Sequence, residues 1–241
     1  MTLTQSPSLA TLVAERGLVE SPRWRDGALW FADWTAGEIL RLAERGPPEV
    51  MARAAAPPLS FDFAADGRML IVASGERQLL RREPDRRLEP FAELGPAGVY
   101  NEIVVDGRGN TYVNGPRLVL ITPVAEQLTA FDIAADGRLS RRRVWAATPG
   151  DHPDGICVDA EGAVWYADVG TRRCRRVAEG GAVLNEIVLD RAGFACVLGG
   201  PDRKTLYITA AAWFGMDRMG EIGGTGCVYS TPVAVAGAGW P

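Results

Sequence analysis

Short apolar segments follow a tight-turn signal at near-constant intervals along the chain. They are DGALWFADW from Asp26, DGRMLIVAS from Asp66, DGRGNTYVNG from Asp106, EGAVWYADV from Glu161 and DRKTLYITA from Asp202. Each pairs residues that tolerate a left-handed backbone with a run rich in Val, Ile, Leu, Trp and Tyr, which is the pattern of a β-hairpin. The first three marks are 40 residues apart and the last two 41, the length of one four-stranded propeller blade. A β-sandwich can also use short strands at this spacing, but blade-length recurrence favours a propeller. A second set of turns, around Asp85 and Asp136, falls between the marks and reads as outer hairpins. The interval from Asp106 to Glu161 is 55 residues, too long for one repeat and too short for two.

Composition agrees with many short elements. Gly and Pro number 28 and 16 of 241 residues, about 18% against a usual value of about 12%. The best helical candidate, SLATLVAERG, is short and soon runs into VESPRW. The net charge of -4 and the lack of a long Lys/Arg block argue against a nucleic-acid partner. No apolar run is long enough to span a bilayer and the start lacks the layout of a secretory signal, so no membrane partner is expected and the cytoplasm is the expected location. Cys157, Cys174, Cys196 and Cys227 form no CxxC pair and read as buried thiols.

Three segments place a carboxylate or amide just ahead of an inner strand: Glu20 in LVESPRW, Asn101 and Glu102 in VYNEIVVD, and Asp154 in DHPDGICVD. Glu20, Asn101 and Asp154 lie 6, 5 and 7 residues before their turn marks, so a repeated architecture puts them in related places in different blades. Oxygen ligands converging in that way suit a hard cation such as calcium, magnesium or manganese, and such a site can polarise a carbonyl towards water. The competing explanation is that Asp and Asn simply cap loops there. His152, the only histidine, is a proton-carrier candidate near Asp154 or an ordinary loop residue. A single histidine, with no GxSxG, Walker loop, GxGxxG or HExxH, excludes several enzyme classes. The NEI letters at Asn185 to Ile187 echo those at Asn101 to Ile103 without a matching turn mark, and RRCRR at Arg172 to Arg176 reads as a solvated outer strand.

The segments at 19–33, 101–113, 152–168 and 194–210 together resemble the SMP-30, gluconolactonase and luciferin-regenerating-enzyme family. The resemblance implies a single domain over 1–241, all-β, a six-bladed propeller here with a missing or incomplete blade. It implies a divalent-metal-dependent hydrolase that opens sugar lactones or related cyclic esters, with calcium, manganese, zinc or magnesium as cofactor and a small lactone as partner. Carried over by position, Glu20 and Asp154 match metal ligands, Asp154 also the proposed base, and Asn101 a residue lining the site near metal and substrate. The family's further Pro-Asn-Gly asparagine has no counterpart, because YVNGPRLVLITP at 112–123 runs directly into AEQLTAFDIAADG at 125–137. About one blade's length of chain is absent at that point, and Asn114 is a weak substitute. The alternative is therefore a catalytically impaired propeller that binds a small ligand or a protein; a β-sandwich carbohydrate-binding module is a third reading, from the strand pattern alone. The segment before Glu20 is expected to pair with the C-terminal tail and close the ring.

Overall fold

The computed structural model describes residues 8–54, 57–94, 100–105, 111–113, 126–133 and 139–239. Twenty strands run through them, with two short 3-10 turns at Ser74–Glu76 and Met216–Glu221. Strand β1 (Ala10–Arg16) stands apart from the sheet that follows it in sequence. The first complete sheet is β2 (Val19–Arg25), β3 (Ala28–Asp33), β4 (Glu38–Leu42) and β5 (Glu49–Arg53). The second is β6 (Leu59–Phe63), β7 (Met69–Ala73), β8 (Gln78–Arg82) and β9 (Leu88–Glu93). Two antiparallel ribbons come next, β10 (Ile103–Val105) with β11 (Thr111–Val113), and β12 (Gln127–Ile133) with β13 (Leu139–Ala147). A third complete sheet holds β14 (Pro153–Val158), β15 (Val164–Asp168), β16 (Arg173–Val177) and β17 (Val183–Val188). The last joins β18 (Ala192–Gly199), β19 (Thr205–Ala211) and β20 (Gly226–Pro232) to β1, in the order β1-β20-β19-β18.

Burial explains the orientation of the sheets. Strands β3, β6, β7, β15 and β18 are buried along their whole length, whereas β5, β9 and β17 carry mostly exposed or half-buried residues. First strands contact one another around the centre, β10 against β6, β6 against β2, β2 against β18 and β18 against β14. The apolar layers lie between neighbouring sheets. Trp30, Phe61, Phe63 and Ile71 join the first and second sheets, and Val19, Phe31, Val197 and Tyr207 join the first and last.

The Asp26–Gly27 mark forms a two-residue hairpin loop, with φ of 49° and 69° and Arg25 paired to Ala28. Both residues occupy the left-handed region that a type I′ turn demands. The marks at Asp66, Glu161 and Asp202 also fall between first and second strands, and Asp85 falls in an outer hairpin. The marks at Asp106 and Asp136, and Asn114, lie outside the described residues.

The expected missing or incomplete blade takes a specific form. Among the described residues, every interval between consecutive inner marks holds four strands, including the 55-residue one, which holds β11 to β14. Instead of one four-stranded sheet, β10 to β13 make two separate ribbons, and among the described residues no strand pairing links them. Each ribbon packs on its complete neighbour: Ile103 and Val105 on Leu70, Val72 and Leu79, and Leu128 and Ala146 on Val164, Tyr166 and Val177.

The arginine-rich strand differs from the expectation of a solvated surface. In β16 the side chains of Arg175 and Arg176 are only 17% and 13% exposed. Arg175 bonds Asp151 and donates to Glu186 at 2.7 Å, and Arg176 donates to Asp159 at 2.6 Å. Because β16 is the third of four strands, its polar face is covered by carboxylates from β17 and the loops flanking β14. Glu186 of the repeated NEI letters thus serves the outer strand β17, away from the centre. The four cysteines are free and buried, with Cys157 and Cys196 Sγ atoms 3.8 Å apart.

Candidate functional site

The register of the inner strands explains how polar side chains reach the centre. Pairing of β2 with β3 passes from Glu20↔Ala32 to Arg23↔Trp30, so β2 carries one extra residue there. Pairing of β14 with β15 passes from Pro153↔Asp168 to Ile156↔Tyr166, with the extra residue beside Asp154. A bulge of this type bends the strand locally and re-aims a side chain. Ser21 within the first bulge has a φ of 50°, an uncommon conformation for a residue with a side chain. Glu20 and Asp154 therefore owe their orientation to irregular pairing at equivalent points of two sheets.

The two carboxylates meet in one electrostatic field, joined by Glu102 from the approach to β10. Burial, then the negative charges of Asp154 and Glu102, hold the Glu20 carboxyl well above the usual carboxylate range, against the opposing Ser21 N–H and Arg23. Burial and Glu102 push Asp154 up to about 7. Asn101 lies half-buried between Tyr100 and Glu102, just ahead of β10. His152 contributes differently: its Nδ1 is buried without a hydrogen-bond partner, against Gly170, where an added Cβ would lie 2.5 Å away.

Sequence reasoning missed the residue that organises this centre. Arg23 Nη2 donates to Glu102 Oε1 at 2.7 Å and to the Ile103 carbonyl at 2.8 Å, and its Nε lies 3.9 Å from Asp62 Oδ1. Ser60 Oγ donates to the same Glu102 oxygen at 2.7 Å, and Ser21 Oγ stands 3.0 Å from Ser60 Oγ. Asp62 accepts the Val105 N–H at 2.7 Å and the Phe63 N–H at 2.8 Å. This network ties β2, β6 and β10 together and adds side-chain bonds to the three-residue pairing of β10 with β11. The signal available in sequence was an arginine three residues after Glu20, on a strand whose neighbours supply Asp62 and Glu102.

Among the described residues no group of three Asp, Glu, His or Cys side chains is placed to hold a metal ion. Glu102, the third carboxylate, is already bonded to Arg23, Ser60 and the Ile103 N–H. What the arrangement does offer is a Glu20 carboxyl that holds its proton more tightly than usual, an Asp154 pushed up to about 7, and a fixed guanidinium. Protonated carboxyls both donate and accept, and carboxylates only accept, so the set suits neutral polyhydroxylated molecules.

A stability prediction follows from Asp154. Its folded pKa of about 7 exceeds the ordinary value of 3.8; the folded state therefore binds the proton more tightly, and this contribution is present in acid and lost as pH rises through 7. Urea unfolding is expected to show about 2 kcal/mol less stability at pH 7 than at pH 5 from this group. The Asp154→Asn variant should flatten that dependence; an unchanged slope would remove Asp154 as its source.

Sheets of four strands arranged about a shared centre, with polar residues on bulged first strands, define a propeller-type β protein. The sequence model of the SMP-30/Gluconolactonase/LRE-like region matches residues 114–212 of the chain. A 6-deoxy-6-sulfogluconolactonase of Pseudomonas putida is 33% identical over 119 residues, covering 47% of this chain and 41% of that protein. A regucalcin of Danio rerio is 36% identical over 90 residues, 36% of this chain and 30% of that protein. The matched stretches thus span less than half of either relative's length. In fold, the chain is similar to a calcium-binding regucalcin from Agrobacterium tumefaciens, with a TM-score of 0.79 at 17% identity over 100% of this chain and 99% of that one. It is similar also to a luciferin-regenerating enzyme, with a TM-score of 0.76 at 14% identity over 96% and 97%. No helix among the described residues is long and apolar enough to cross a membrane.

Proposed function

We propose that this chain acts as one domain and is a catalytically impaired relative of the family's lactone hydrolases, binding a small polyhydroxylated molecule of the sugar-lactone class at Glu20, Asn101 and Asp154. The observation that carries the reading is the commitment of Glu102 to Arg23, which leaves two carboxylates, Glu20 and Asp154, at a centre where the described residues offer no three-ligand group. Binding then relies on hydrogen bonds to hydroxyl groups, with Asn101 adding an amide donor and acceptor.

The second reading is the metal-dependent hydrolase of sugar lactones, with Glu20, Asp154 and Asn101 as ligands to calcium, manganese, zinc or magnesium and Asp154 as base. One observation favours it: burial first and then neighbouring negative charge make Glu20 and Asp154 hold protons more tightly than usual, and a bound dication would offset both as a proton does.

One experiment separates them. Chelated protein is supplied with glucono-1,5-lactone, and hydrolysis above the spontaneous rate is followed before and after each cation is added; binding of the stable polyol glucose is measured in parallel by calorimetry. The expected result is no metal-restored turnover, with saturable binding weakened about tenfold in Asp154→Ala, the loss of one hydrogen bond to a charged group. Metal-restored turnover would replace this proposal with the second reading.

A further inference from the structure

The far ends of the inner strands enclose a second cavity, on the side of the Asp26–Gly27 turn. It has a volume of about 310 Å³ and is lined by residues of β2, β6, β14 and β18, by the β18–β19 turn and by the C-terminal segment at Gly237 and Gly239. None of Glu20, Asn101 or Asp154 lines it. Its apolar wall includes Trp24, Phe63, Val197 and Leu198, and Trp24 is stacked on Tyr207 at 5.4 Å.

Three arginines enter this small space. Arg25 lies over the Phe63 ring at 4.4 Å and bonds the exposed Asp26 at 3.2 Å. Arg23 reaches the cavity from the central network, where Asp62 lies beside it. Arg203 has no ion pair among the described residues, and its Nε is buried with no hydrogen-bond partner, as is that of Arg23. Its guanidinium lies along a floor without side chains: a Cβ at Gly237 would stand 3.5 Å from Nε and Nη2, and one at Gly239 would stand 3.6 Å from Nη1. A buried donor without an acceptor is costly, and a guanidinium fork matches a carboxylate in shape and charge. Arg203 and Trp24 also border a wider groove between the first and last sheets, shared with Leu12, Leu29 and Tyr207.

We propose that this cavity binds a small organic carboxylate, its two oxygens facing Arg203 and its apolar body resting on Trp24, Phe63 and Leu198. The cavity shares Arg23 and Asp62 with the central network but none of Glu20, Asn101 and Asp154, and the proposal does not depend on the function assigned to those three. Charge selects the anion, and the apolar wall selects a carboxylate with a hydrocarbon body over a bare oxyanion.

The test uses the full chain labelled with nitrogen-15 and benzoate as the probe. Arg203 Nε–H and Trp24 indole N–H resonances, assigned with Arg203→Gln and Trp24→Phe, are expected to shift saturably with benzoate and far less with sulfate. Arg203→Gln should weaken benzoate at least about tenfold, the loss of a charged hydrogen bond, while Arg203→Lys keeps the charge and recovers part of the affinity. Asp154→Asn should bind benzoate as the parent does. The proposal is overturned by absence of saturable shifts, by equal binding of sulfate, by undiminished affinity in a folded Arg203→Gln, or by loss of binding in Asp154→Asn.

Discussion

Deleting residues 1–16 is expected to abolish cooperative folding or to leave a species that self-associates, although only one side chain of β1 is buried along its length. That side chain is Val13, which packs with Val19, Phe31, Val197 and Val228 in the layer between the first and last sheets. Backbone pairing matters as much. β1 covers the outer edge of β20, from Ala10↔Ser230 to Arg16↔Gly226, and then leads directly into the first sheet. At that crossing the chains approach so closely that a Cβ on Gly226 would stand 1.7 Å from the Gly17 carbonyl oxygen. Burial of one valine is worth about 1.5–3 kcal/mol, and each net strand hydrogen bond about 0.5–1.5 kcal/mol. Their total rivals the 5–15 kcal/mol that typically holds a domain together, and the deletion also uncovers a sheet edge able to pair with another chain. Urea unfolding and sedimentation check this. A monomer lacking residues 1–16 with a sharp, unshifted transition would show that β1 is ornamental.

The closing strand was legible in the sequence because an apolar segment before Glu20 and one after residue 226 both lacked local partners. Hairpin turns were legible for a stronger reason: Asp26–Gly27 demands positive φ at both residues, and little besides a hairpin supplies it. The division of β10 to β13 into two ribbons was not legible, because a strand pattern states which residues alternate but not which neighbour a strand pairs with. The 55-residue interval announced an irregularity there without its form. Arg172 to Arg176 misled for a related reason. Cys174 is buried as expected of the thiols, but the acidic partners of Arg175 and Arg176 come from Asp151, Asp159 and Glu186, which only the folded sheet brings alongside.

The centre was legible by half. Offsets from the turn marks brought Glu20 and Asp154 to equivalent places, and the structure sets both in one field. Those offsets, 6 and 7 residues, ignore the bulges that do the aiming, because an extra residue in a strand leaves no mark in composition. Glu102 was visible beside Asn101, but its bond to a cation sent from β2 was not.

Replacing that cation with a neutral side chain, as in Arg23→Leu, is expected to lower stability by about 3–5 kcal/mol, the cost of breaking one side of a buried ion pair, and to lower the melting temperature by about 10 °C. The arginine side chain is only 11% exposed, and so is not free to be replaced by water. Its loss leaves the Ile103 carbonyl without that donor and removes the positive charge beside buried Asp62. Glu102 contributes less, since its side chain is 40% exposed and solvent screens it. Burial already holds Asp62 above the ordinary carboxylate range, and Arg23 is the largest influence opposing that rise. Without the arginine, Asp62 should take up its proton at still higher pH, so the variant loses least in acid, where both states are protonated, and most above neutrality. Unfolding measured at pH 5 and pH 8 therefore distinguishes charge from packing. A gap between parent and variant that widens with pH assigns Arg23 to the electrostatic seam holding β2, β6 and β10; an equal gap at both pH values assigns it to packing alone.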